Sequence, residues 1–229
     1  MATEAAATPT LRYEVKSVGP DTLLGNVRAW LRAHSAALRP HHPPRLVSSV
    51  YFDTPDLSAF QENLTGVAGR RKLRFRWYGE ADDEVVATLE LKCKQAQVGW
   101  KVSERLAAPL RLRGRTWREV LRDVNQGLSP EGRRHLANAG APSTLIRYRR
   151  EYLVSADRRI RVTIDTDLES IDQRGVAAPR LDGPITRDRV VVLEVKGADE
   201  DRLEIARAMA TWPLPVSRNS KYVRAIARG

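Results

Sequence analysis

Lys72-Leu73-Arg74-Phe75-Arg76-Trp77-Tyr78-Gly79 alternates cations with large apolar residues at a period of two. Successive side chains of a β-strand point to opposite faces, so the stretch predicts a strand with Lys72, Arg74 and Arg76 on one face and Leu73, Phe75 and Trp77 on the other. The same spacing recurs in Glu14/Lys16, Glu90/Lys92/Lys94, Arg147/Arg149, Arg159/Arg161/Asp165 and Glu194/Lys196. On any one strand, a charged face is explained by contact with water. Six such rows together describe a whole sheet with one densely charged face. The opposite face carries Leu89, Leu91 and Cys93; Ile160, Val162 and Ile164; and Val191, Leu193 and Val195. Those rows need cover, and helices are available to provide it. A sheet with helices outside and charges inside closes into a barrel around a polar tunnel. Cations held inside repel one another, so the pattern predicts interleaved carboxylates and a bound polyanion.

Composition points the same way. Among 229 residues, 39 Lys plus Arg face 28 Asp plus Glu, giving a formal charge of +11 and a pI near 10.3. That balance fits nucleic acid, an anionic membrane or a phosphate-rich substrate, and charge alone does not choose among them. Only seven of the cations are lysines, and all seven lie on or beside the segments that alternate. A compact ammonium with three donors is how lysine holds phosphate. The single cysteine, Cys93, excludes an internal disulfide and a cysteine zinc cluster and reads as a small apolar strand residue in a reducing compartment. No stretch approaches the roughly twenty apolar residues of a membrane span, and Met1 to Pro9 lacks the pattern of a signal peptide. The expectation is a soluble, cytoplasmic protein with a tail over 1–9 and one domain over 10–229.

Strands are expected at Leu11 to Val18, Val47 to Phe52, Arg71 to Tyr78, Val85 to Lys94, Gly99 to Leu106, Thr144 to Ser155, Arg158 to Leu168 and Arg189 to Lys196. The acidic turn from Gly79 to Glu84 reads as a hairpin. Asp21 or Thr22 opens a helix that Pro40 stops, and Thr54-Pro55 opens a short one closed by Gly66. Arg115 to Ala139 is helical in two pieces, the second starting at Ser129 or Pro130. Asp199 to Trp212 and Asn219 to Ala227 complete the set. Eight strands with inserted helices argue for an α+β protein organised around one antiparallel sheet.

Seven of these segments together resemble the VTC domain, a member of the CYTH-like triphosphate tunnel metalloenzymes. They are Arg-Tyr-Glu-Val-Lys at 12–16, Ser-Val-Tyr-Phe-Asp-Thr at 49–54, the string at 72–79, Leu-Glu-Leu-Lys at 89–92, Arg-Val-Thr-Ile-Asp-Thr-Asp-Leu at 161–168, Leu-Glu-Val-Lys at 193–196 and Ser-Lys-Tyr at 220–222. The likeness runs in order over nearly the whole chain, and 72–79 is its most specific part. It implies an eight-stranded antiparallel β-barrel forming a tunnel, with a divalent metal, manganese or magnesium, and a nucleoside triphosphate or polyphosphate. Carried over by position, it implies phosphate contacts from Lys16, Arg74, Arg76, Lys92, Lys101, Arg149, Arg161 and Lys221. It also implies a tunnel hydroxyl at Ser220 and a metal-binding carboxylate at Glu194. Arg218 stands where polymerases of the family tend to carry lysine, and Lys94 stands near a position that can be histidine. Arg12, where the wider superfamily often has glutamate, favours the VTC branch over the hydrolase and cyclase branches.

Lys72, Lys94, Lys196, Arg218 and Ser220 are further candidates for substrate binding, and Glu14 and Glu90 join Glu194 as candidate metal carboxylates. Phosphoryl transfer needs positioning and charge neutralisation more than a dedicated base, so this machinery suffices for a phosphotransferase that adds the terminal phosphoryl of ATP to a growing polyphosphate chain. Two alternatives stand beside it: a triphosphate hydrolase in which Glu14, Glu90 or Glu194 orients water, and a non-catalytic polyphosphate binder. Arg111 to Arg122 and Arg133/Arg134 read as solvated helix faces, so nucleic acid is not expected as a partner. His34, His41, His42 and His135 lack metal-ligand spacing. A membrane partner protein that receives the chain is compatible with the sequence.

Overall fold

The structure is a computed structural model and describes residues 12–80, 84–95 and 98–229. β-Branched and aromatic residues at alternate positions build one antiparallel sheet from β1 (Arg12–Pro20), β2 (Arg39–Asp53), β3 (Gly69–Tyr78), β4 (Thr88–Gln95), β5 (Val98–Arg105), β6 (Ala141–Val154), β7 (Arg161–Asp172) and β9 (Val190–Ala198). Their order is β1-β9-β7-β6-β2-β3-β4-β5, and a short strand, β8 (Thr186–Asp188), pairs with β7. In a flat sheet β1 and β4 would lie roughly 29 Å apart, six strand spacings. Instead Lys92 Nζ of β4 stands 3.7 Å from Glu14 Oε2 of β1. The sheet is therefore curled into a half-barrel. No ladder joins β1 to β5 among the described residues.

The convex side is apolar, as the alternation requires. Leu73, Phe75, Trp77, Leu89, Leu145 and Ile171 pack under α3 (Trp117–Gly127) and α4 (Pro130–Asn138), represented by Trp117, Val120, Val124 and Leu136. A second cluster joins Val162, Ile164, Val191, Leu193 and Val195 to Val27 and Leu31 of α1 (Leu24–Ala33) and Ile205 of α5 (Arg202–Met209). Thr116 and Glu119 form a reciprocal capping box on α3, and Ser129 caps α4 with Pro130 in its first turn, so the expected two-piece helix is present.

The remaining helices do not lie outside. α2 (Ser58–Thr65) and α6 (Lys221–Arg228) cross the concave side, where Tyr222 and Ile226 pack with Val47, Tyr51, Ile146, Tyr148, Leu168 and Val192, and Phe60 borders them. Asp53, at the end of β2, holds this arrangement: its carboxylate accepts from the backbone N–H groups of Ala59 and Phe60 at 2.8 and 2.9 Å and from the Tyr222 hydroxyl.

Four elements differ from the sequence reading. α1 ends at Ala33, and β2 starts at Arg39, so Pro40 lies inside a strand rather than ending a helix. Prolines fit here because β2 pairs with β3 only from Val47 onward, which leaves 39–46 as an edge, and the ladder to β6 shifts register at Pro40/His42 and His42/Arg45. β4 starts at Thr88, with Val85 in an isolated bridge to Leu110. In β7 Asp167 adopts φ 53° beside a register shift, so Asp165 and Leu168 both face the concave side although three residues apart. The tip of the 79–84 turn, at 81–83, and the tail at 1–9 lie outside the described residues.

Candidate functional site

The concave face gathers charges from seven strands and α6. Glu90 on β4 accepts from Arg74 Nε and Nη2 at 3.0 and 2.6 Å, from Arg76 Nη1 at 3.3 Å and from Lys101 Nζ at 3.0 Å. Arg74 also donates to the Tyr51 hydroxyl at 2.9 Å. Burial works to raise the Glu90 pKa, but Arg74 and then Arg76 outweigh it and hold the group down at about 2.

Across the concavity, Glu194 on β9 lies 2.6 Å from Lys196 Nζ, 3.2 Å from Lys16 Nζ, 3.6 Å from Arg150 Nη2 and 3.8 Å from Lys221 Nζ. Asp165, fully buried, receives a two-pronged contact from Arg150 at 2.5 and 2.7 Å and the Lys221 ammonium at 2.5 Å. Arg150 and Lys221 both stand over the Tyr148 ring, at 5.2 and 4.6 Å from its centroid. Burial opposes ionisation of Glu194, yet Lys16, then Lys196, Lys221 and Arg150, keep it well below the usual carboxylate range. Asp165 is likewise lowered, against its burial, by Lys221 and Arg150. Glu14 meets Lys16 at 2.8 Å, Lys92 at 3.7 Å and Lys196 at 4.0 Å, and lies at about 2 because Lys16 and Lys196 outweigh its burial.

Nine cations thus face four carboxylates: Lys16, Lys72, Arg74, Arg76, Lys92, Lys101, Arg150, Lys196 and Lys221 against Glu14, Glu90, Asp165 and Glu194. The excess is felt at two lysines. Lys72 is pushed down to about 7, first by burial and then by Lys92, Lys16, Arg70 and Arg74. It stands opposite Lys92 in the ladder and donates to Ser220 Oγ, the cap of α6, at 3.1 Å. Lys92 is lowered to about 8 by burial in the concavity and by Lys16; its side chain is 51% exposed, so water screens part of that repulsion and Lys72 is the stronger case.

Most of the expected residues are therefore brought together. Arg161 faces the same side opposite Lys196, but at an exposed strand start. Lys94 and Arg218 are exposed at a rim that also holds Arg70. The Arg147/Arg149 row is the exception: both lie on the convex side, Arg149 exposed and Arg147 bonded to the Leu181 carbonyl, and Arg150 occupies the inward place instead. Leu145 and Ile146 are both apolar and both buried, because β6 is covered on both faces here, so the pattern hides which parity points inward. Arg150, Asp165, Tyr51 and Tyr148 are site members without an expected role. Asp165 shares the parity of Arg161, and Tyr148 and Tyr152 share that of Arg150, which is the signal that marks them.

Hard divalent cations bind oxygen, and magnesium in particular uses one or two carboxylates and completes its shell with water and substrate phosphates. Glu14 and Glu194 already converge on one positive centre, Lys16 Nζ, so the pair fits such a metal once Lys16 turns to a phosphate. Glu90 shares no cation with them among the described ion pairs. No group of three or more His, Cys, Asp or Glu suited to a metal occurs among the described residues, so phosphate oxygens would supply the other ligands.

The VTC domain model matches residues 11–228. Among solved structures, a candidate adenylate cyclase from Vibrio parahaemolyticus is similar in fold at a TM-score of 0.50 and 12% identity, covering 96% of this chain and 99% of that one. The Schizosaccharomyces pombe Mediator head module matches at a TM-score of 0.41 and 13% identity, covering 87% and 90%. Comparison with curated protein sequences finds no match. No helix among the described residues is long and apolar enough to cross a membrane.

Proposed function

Because the chain belongs to the VTC domain family, within the CYTH-like triphosphate tunnel superfamily, we propose that it is a polyphosphate polymerase drawing phosphoryl groups from ATP. The observation that carries this reading is the excess of cations over carboxylates on the concave face, nine against four, which adds to burial in bringing Lys72 down to about 7. An enclosed excess of that size is relieved by a polyanion with several charges in a row.

The chemistry follows from the same residues. A terminal oxygen of the chain attacks the γ-phosphorus of ATP, a new P–O bond forms, and the bond to the β-γ bridging oxygen breaks to release ADP. Arg74, Arg76, Lys101 and Lys92 on one wall and Arg150, Lys16, Lys196 and Lys221 on the other neutralise charge on the transferred group and hold the reactants in line. A manganese or magnesium ion held by Glu14 and Glu194 would add neutralisation of the phosphate oxygens. The carboxylates favour phosphate over water as acceptor. Glu14 and Glu90 lie at about 2, and Glu194 is also strongly lowered, which makes all three poor proton acceptors. A terminal phosphate, already ionised, needs none.

The test incubates purified protein with ATP and manganese and follows ADP, free phosphate and gel-stained polyphosphate. Chain growth matching ADP release is expected. Phosphate release without chains would make the protein a hydrolase, and tripolyphosphate binding without turnover would make it a binder.

A further inference from the structure

Beyond the inward arginines, two strands continue into aromatic residues. Tyr78 follows Arg76 by two positions on β3, and Tyr152 follows Arg150 by two on β6. Two residues advance a strand about 6.8 Å on the same face, the room a ribose needs between a phosphate and its base. β2 runs between β3 and β6, and from it Arg45 reaches both rings, its guanidinium carbon 5.2 Å from the Tyr78 centroid and 5.8 Å from that of Tyr152. His42 meets Tyr152 edge-on at 5.6 Å. Arg76 bonds the Tyr78 hydroxyl while its other nitrogen holds Glu90, so the aromatic group is continuous with the phosphate-facing row. Tyr78 keeps 47% exposure and stays open to a ligand.

We propose that Tyr78, Arg45 and Tyr152 form a stacking platform for the base of a nucleoside triphosphate whose phosphates lie along the cationic wall. It deepens the reading that the concavity binds triphosphate, and rests on it. Tyrosine faces and a guanidinium plane bind any base by stacking, since every base presents a π-face. Recognition is therefore of a nucleotide rather than of adenine. This mouth separates a nucleoside triphosphate from bare polyphosphate.

Calorimetry without metal compares ATP, GTP and inorganic tripolyphosphate on the wild type, Tyr78→Ala, Tyr152→Ala and the two Phe variants. Each Ala variant is expected to lose at least about five-fold in ATP affinity, the lower end for one stacked base, with GTP falling in parallel and tripolyphosphate unchanged. The Phe variants keep the rings and should retain ATP. Equal losses for ATP and tripolyphosphate, or no loss for either, would overturn the platform and leave the tunnel standing. Wild-type protein that binds no tripolyphosphate would instead overturn the functional reading on which the platform rests.

Discussion

Lys72 is the residue whose charge a phosphate chain changes most. Its value in the fold is about 7 against an ordinary 10.5, so between those limits the unfolded chain binds more protons, and the free protein gains stability as pH rises through that window. A bound polyanion reverses the repulsion and restores the proton. Tripolyphosphate binding is therefore expected to take up close to one proton near pH 8 and to weaken as pH rises from 7 to 9. The check is binding enthalpy in two buffers of different ionisation heat; Lys72→Met should abolish the difference, and a wild type without it would remove Lys72 from the site. Adjacent arginines give a second comparison. Arg150→Ala leaves Asp165 buried with only Lys221, which should cost about 3 kcal/mol of stability and most of the phosphate affinity. Arg149→Ala, on the exposed side, should stay within about 0.5 kcal/mol. Urea melts and tripolyphosphate titration of both variants decide it, and equal effects would contradict the inward assignment of Arg150.

At the scale of elements, α6 is tied to Asp165 by Lys221 and to Asp188 by Arg224, and its one link to the end of β2 is the bond from the Tyr222 hydroxyl to Asp53. Tyr222→Phe should cost about 1.5–3 kcal/mol in denaturant unfolding, and it should weaken tripolyphosphate binding because Lys221 and Ser220 ride on the same helix. A destabilised variant with intact affinity would show that α6 places those groups without this bond. Elements whose signals are local are legible in the sequence: the helix start at Ser129, and the charge parity of β1, β3, β4 and β9. Elements whose state depends on neighbours are not. Pro40 reads as a helix stop, and only the absence of β3 beside 39–46 makes it a strand residue. Arg149 and Arg150 are adjacent, and the covering of β6 on both faces removes the alternation that would separate them. That α6 lies within the concavity is a tertiary fact, although the contact of Lys221 with the site was legible from the family likeness.

Across the whole molecule, the surplus of positive charge that the curled sheet holds at close range governs how stability responds to ligand. Tripolyphosphate at a hundred times its dissociation constant should add about 2.7 kcal/mol, on the order of 5–10 °C in melting temperature for a chain of this size. Thermal melts at low and high salt check this, with a smaller shift expected at high salt as the charges are screened; no shift at millimolar ligand would remove the polyanion site. The strand order has a kinetic consequence. β3, β4 and β5 form adjacent hairpins, and so do β6 and β7, but among the described strands β1 pairs with β9, Arg12 opposite Ala198. A pairing between such distant parts of the chain must close a very long loop, so it belongs late in folding, after the local hairpins have nucleated. Val15→Ala should then hasten unfolding while barely slowing refolding, and a matching loss in refolding rate would move β1 into the nucleus. Lys16 and Glu14 arrive with that strand, so the molecule acquires its binding face in the last step of becoming folded.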